Sequence, residues 1–198
     1  MKNLLPGVWE WSWFSEEKQI DFNGHLLAVG EHRILVDPPP LSPADLAFLK
    51  QGERVDYIIL TNRDHQRDAA QLRQTLECKV LAPELDLKEM SVSIDKAYKD
   101  GELLPGGIWV VQVMNQKSPG ESALFLQKGK GIMIVGDALI GDPPGSVRLL
   151  PADKYADREQ AKISLKRLLN FNFDALLVGD GTSVLKDAKS AVQTLIEG

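Results

Sequence analysis

Three apolar runs in this chain end in the same kind of chemistry. Leu60 leads through Thr61, Asn62 and Arg63 into Asp64 and His65, Val135 through Gly136 into Asp137, and Val178 through Gly179 into Asp180 and Gly181. Loops at the carboxyl ends of strands can converge while the sheet beneath them stays rigid. If these loops converge, Asp64, His65, Asp137 and Asp180 make a site for a divalent cation, because like charges so close otherwise need a cation between them. One imidazole with three carboxylates is a harder donor set than the nitrogen-rich sets typical of zinc, and it suits Mn, Fe or Mg at least as well. Such a cation polarises a carbonyl or lowers the pKa of a coordinated water. Taken singly, each carboxylate also has a structural explanation, Asp64 as a helix cap and the other two as turn residues.

The elements that would position these groups are short. Val8 to Phe14 alternates as a half-buried strand, with Trp9, Trp11 and Trp13 on the face expected to enter the core. Two apolar runs, from His25 to Val29 and from Arg33 to Asp37, flank Gly30-Glu31-His32 as a hairpin does. That places His32 near an exposed tip and makes His25 a structural residue. Ser42-Pro43 opens a helix, Val55 to Leu60 reads as a strand buried on both faces, and Ala69, Leu72 and Leu76 recur at helical spacing. Four further strands are expected at 79–82, 108–113, 122–126 and 132–135. A helix over 158–169, a strand over 175–178 and a helix over 186–196 complete the pattern.

Composition narrows the function classes. A chain of 198 residues with 43% hydrophobic and 26% charged residues is expected to form a single domain over 1–198. A formal charge of −5 disfavours a nucleic-acid surface, which needs clustered Lys and Arg in excess. No signal peptide and no membrane span are read, and a lone Cys78 fits a reducing cytoplasm. The partner expected is a small-molecule substrate, with oligomeric state left open.

Read in order, Ile34 to Pro38, Val55 to Thr61 with Asp64-His65, Ser118-Pro119-Gly120-Glu121-Ser122, Val135-Gly136-Asp137 and Leu177 to Gly181 resemble the metallo-β-lactamase superfamily over nearly the whole chain. The resemblance implies an α+β fold, a four-layer αββα sandwich. It also implies ligand positions that this chain only partly fills. The family's His-x-His-x-Asp-His loop is shorter by two residues here, so its leading histidines are absent and Asn62 at most stands in for one. Lys117 or Ser118 replaces the histidine before Pro-Gly, and Asp180 replaces the histidine of a late Gly-His-Gly. The first metal position has therefore lost its imidazoles, while the second keeps Asp64, His65, Asp137 and Asp180.

Two functions are compatible with that remnant. One is a metal-dependent hydrolase of a small ester or thioester, with Asp64 and His65 as catalytic residues and one divalent metal (Mn, Fe or Zn) on the four ligands. The other is a metal-poor member of the fold that holds no metal and binds a ligand or partner in the same cleft. Asn62, Arg63 and Lys117 are expected to line the site, with the Lys117 ammonium in place of a lost metal charge. Arg63 and Arg67 flank the loop, either as an anion clamp or as surface ion pairs.

Overall fold

The computed structural model describes the whole chain, Met1–Gly198. Strands β1 (Lys2–Leu5), β2 (Val8–Ser15), β3 (Ile20–Val29), β4 (His32–Val36), β5 (Tyr57–Ile59), β6 (Lys79–Pro83) and β7 (Lys96–Tyr98) form a seven-stranded sheet in chain order. Strands β8 (Leu103–Leu104), β9 (Ile108–Gln112), β10 (Ser122–Leu126), β11 (Ile132–Val135) and β12 (Ala175–Val178) form a five-stranded sheet in the order β12-β11-β10-β9-β8. Helices α1 (Pro43–Gln51) and α2 (Ala69–Leu76) belong to the first half, α3 (Arg158–Ser164) and α4 (Ala188–Glu197) to the second.

Side-chain alternation makes this a four-layer sandwich. On β3 and β4, Leu26 and Leu35 turn to one face, where they pack with Leu49, Ala69 and Leu72 from α1 and α2. Their neighbours Leu27, Ile34 and Val36 turn to the other face and meet Val110, Leu124, Ile134 and Leu177 of the second sheet. The far face of that sheet, with Val111, Met133 and Leu176, is covered by Leu165, Leu168, Ala188 and Val192. Each strand thus contributes alternate residues to two apolar layers, as a period of two requires.

Several local expectations are modified. Only Trp11 of the tryptophan row is buried, while Trp13 is exposed. The row runs out along the β2–β3 hairpin, whose end projects beyond the core. The helix expected over 158–169 is α-helical to Ser164 and tightens to a 3₁₀ helix over Leu165–Asn170. The hairpin of β3 and β4 turns at Gly30, whose φ of +60° is readily adopted by glycine.

The topology explains why one edge carries the polar groups. Strands β4, β5 and β6 are parallel, and so are β11 and β12. The carboxyl ends of β4, β5, β11 and β12 therefore deliver Asp37, the loop 61–65, Asp137 and Asp180 to one edge of the sandwich. Strand β10 is antiparallel to β11, so the residues entering it, Lys117 to Glu121, arrive at the same edge.

Candidate functional site

The deepest part of this edge is a set of buried carboxylates held by fixed donors. Asp37 accepts from the Thr61 amide at 2.8 Å, the Thr61 hydroxyl at 2.5 Å and His65 Nδ1 at 2.8 Å. Asn62 caps the 3₁₀ turn Arg63–Gln66, its Oδ1 accepting from the amides of Asp64 and His65, while its Nδ2 donates to Glu121 at 2.7 Å. The other Glu121 oxygen accepts from the Ala138 amide at 3.0 Å. Asp86 accepts from the amides of Arg63 and Gly120 and from the Ser118 hydroxyl. Glycine is needed where these groups meet the strand ends. A Cβ on Gly179 would lie 2.4 Å from His65 Cε1, and one on Gly136 would lie 2.2 Å from Thr61 Oγ1.

In front of that layer stand long side-chain cations. Lys117 Nζ lies 3.0 Å from Asp64 Oδ2 and 3.0 Å from Asp137 Oδ2. Arg67 Nη2 lies 2.7 Å from Asp180 Oδ1 and 3.3 Å from His65 Nε2, on the far side of the ring from Asp37. Asp137 Oδ1 faces the same His65 nitrogen at 3.5 Å. Donor atoms of His65, Asp137 and Asp180 all lie within 4.8 Å of one another.

These neighbours set the protonation states. Burial and the Arg67 charge oppose a proton on His65, but the carboxylates of Asp37 and Asp137 outweigh them and push its pKa up to about 10. The imidazolium then donates to Asp37 and faces Asp137 as an ion pair, with Arg67 as its like-charged neighbour. Burial works against the Asp137 carboxylate, yet His65 and Lys117 hold its pKa well below the ordinary range. Burial raises Asp180, and it raises Glu121 strongly, with added repulsion from Asp137 and Asp37. Lys117 is held above its usual range: burial opposes its charge, but Asp137 and Asp64 more than compensate.

A cleft of about 780 Å³ opens onto this face. The β2–β3 hairpin gives it one wall, with Phe14, Ile20 and Phe22, and the segment Ile140 to Lys154 gives it another, including Arg148 and Leu150.

Of the residues singled out in the sequence, His65, Asp137 and Asp180 come together. Asp64 is not in that group, because it meets the cleft from the loop side and reaches Asp137 only through Lys117. Lys117 points inward. Asn62 and Arg63 lie away from the cleft wall: Asn62 is buried behind it as a cap, and the Arg63 guanidinium turns to Glu89 at 2.5 Å. Asp37 and Glu121 are not among the site residues the sequence points to, and Arg67, read there as an anion clamp or a surface ion pair, binds Asp180 in the site itself. Asp37 stands at the end of β4 as the others stand at the ends of their strands, and Glu121 directly follows Pro119-Gly120. Those positions were the available signals. Residues between 140 and 154 line the cleft, and none from 85 to 107 does.

A family model described as the metallo-beta-lactamase superfamily matches residues 1–198. The chain belongs to the metallo-β-lactamase superfamily. Its fold is similar to that of a metallo-β-lactamase from Pontibacter korlensis, with a TM-score of 0.76 at 14% identity over 100% of this chain and 98% of that one. It is similar to the FIM-1 enzyme of Pseudomonas aeruginosa in its mono-zinc form, with a TM-score of 0.72 at 14% identity over 98% and 93% of the two chains. It is also similar to the protein TTHA1623 in a di-iron-bound form, with a TM-score of 0.71 at 24% identity over 91% and 96%. A search of curated protein sequences finds no match. No helix is long and apolar enough to cross a membrane.

Superfamily membership supports a metal-dependent hydrolase type of function in general, so the donor set must be tested against a metal pair. It does not fit one. The first position offers no imidazole, and the Lys117 ammonium stands between Asp64 and Asp137. At the second position three donors converge, but Arg67 Nη2 is already in contact with two of them.

Proposed function

We propose that this chain binds a small molecule in its edge cleft as a metal-poor member of the superfamily, with side-chain cations where the paired ions would stand. The observation that carries this reading is the pairing of the three carboxylates at the strand-end floor of the cleft with built-in cations, Lys117 for Asp64 and Asp137 and Arg67 for Asp180. Charge that a metal would neutralise is neutralised by the chain itself. The cleft volume falls within the range of roughly 300–1,000 Å³ usual for small-molecule sites. Both walls mix apolar and charged groups, Phe14 and Phe22 with Lys18 and Asp21 on the hairpin and Ile140 and Leu150 with Arg148 and Lys154 opposite, which favours a ligand with both apolar and polar parts.

A second reading is a one-metal hydrolase of a small ester or thioester, and the convergence of His65, Asp137 and Asp180 favours it. Those three would hold the ion, which would supply an activated water. Metal content per chain after purification without chelator separates the readings, combined with turnover of an ester, thioester, phosphodiester and lactam panel in Mn(II), Zn(II) and Fe(II). The first reading expects far less than one ion per chain and no metal-dependent turnover. Turnover that depends on metal and is lost in His65→Ala would overturn it in favour of the second.

A further inference from the structure

We propose that the Arg67 guanidinium masks a divalent-metal site formed by His65, Asp137 and Asp180, and that removing it opens that site. The inference rests on the metal-poor reading above and identifies the residue responsible.

Three observations carry it. First, the mask lies on the donors themselves: Nη2 contacts Asp180 Oδ1 at 2.7 Å and approaches His65 Nε2 to 3.3 Å. An ion on those atoms would sit against a fixed positive charge. Second, the guanidinium is anchored. Its Nη1 donates to the Asn23 and Asp37 carbonyls at 2.8 and 3.3 Å, its Nη2 to the Gly179 carbonyl at 3.2 Å, and its carbon lies 4.7 Å from the centre of the Phe22 ring. With the side chain only 8% exposed, it does not swing aside as a surface arginine would. Third, two of the three donors, His65 and Asp137, stay oriented without it. Asp37 fixes the ring through Nδ1, which leaves Nε2 directed at Asp137, as a ligating imidazole needs. Asp137 uses Oδ2 for Lys117, so Oδ1 stays turned toward the shared point.

The backbone supplies a clean variant. Arg67 has φ +37° and ψ −114°, a conformation strained for an arginine and open to glycine. Arg67→Gly removes the guanidinium and relieves that strain together, leaving Asp180 uncompensated and more attractive to a cation.

Wild type and Arg67→Gly are titrated with Mn(II) and with Zn(II) by calorimetry, and their melting temperatures are read with and without each ion. Wild type is expected to show no saturable binding and an unmoved melting temperature. Arg67→Gly is expected to bind one ion per chain and to melt higher in its presence, since an ion that binds only the native state stabilises it. Adding His65→Ala should abolish that gain. If Arg67→Gly lacks a cooperative melt, Arg67→Gln is titrated instead; failure of both to fold would overturn the claim that the donors stand without the guanidinium. A folded variant that takes up no ion would overturn the mask while leaving the metal-poor reading intact. Wild type carrying one ion per chain would overturn both.

Discussion

Two layers of acidic residues lie one behind the other at the edge of this sandwich, and they are neutralised differently. In the deep layer, Asp37 and Asp86 accept from main-chain amides and short hydroxyl groups of the loops they tie together. In the layer facing the cleft, Asp64, Asp137 and Asp180 depend on the ends of two long side chains, Lys117 and Arg67. The deep layer fixes where the loops run, and its donors are main-chain amides joined by the short hydroxyls of Thr61 and Ser118 and the His65 ring. The front layer fixes what the cleft presents, through side chains that a single substitution removes. Removing the Lys117 or Arg67 side chain should therefore leave the architecture in place, because the carboxylates that hold the loops are bonded to other groups.

The largest effect should come from the deep layer. Asp37→Ala leaves the Thr61 amide and hydroxyl and the His65 ring without their acceptor in a buried site, and should cost about 3–5 kcal/mol in urea unfolding. A cost under about 1 kcal/mol would mean that water replaces the carboxylate and that the layers are not distinct.

The imidazole between the layers predicts a pH dependence. His65 has a folded pKa near 10 against an ordinary 6.5, so between those values the native state holds a proton that the unfolded chain has released. Its stabilisation is complete below 6.5 and is lost as pH rises toward 10. Melting temperature should fall over that window, and His65→Gln should flatten the slope.

Glu121→Gln sharpens the contrast further. Both Glu121 oxygens accept hydrogen bonds, so an amide must turn its NH₂ toward Asn62 Nδ2 or the Ala138 amide. The mismatch should cost about 1–3 kcal/mol, because one buried donor then faces another. The smallest effect belongs to the front layer: Lys117→Met should cost up to about 1 kcal/mol, because the ammonium is partly solvated. NMR should show the Asp137 carboxyl titrating at higher pH in that variant.

The fold was legible because each strand writes its two faces into alternate residues, as Leu26 and Leu27 do on β3. The edge was legible because Gly136-Asp137 and Gly179-Asp180 end their strands with glycine where a Cβ would strike Thr61 or His65. Arg67 was weighed only as an anion clamp or a surface ion pair. Its position two residues after His65 does not reveal the backbone reversal at φ +37° that sends its side chain back over the ring. The cleft wall was hidden for a related reason. Aromatic alternation from Trp9 to Trp13 reads as core, and nothing in it marks where the β2–β3 hairpin runs past the core and Phe14 begins to border the cleft.

The most direct measurement of the central claim is the metal content of the native chain, purified without chelator and determined by elemental analysis alongside native mass spectrometry. If Arg67 and Lys117 stand where ions would, the intact protein should carry far less than one Zn, Mn or Fe per chain, and chelator should leave its melting temperature unchanged. One or two tightly held ions per chain, with a melting temperature that falls on chelation, would contradict the account.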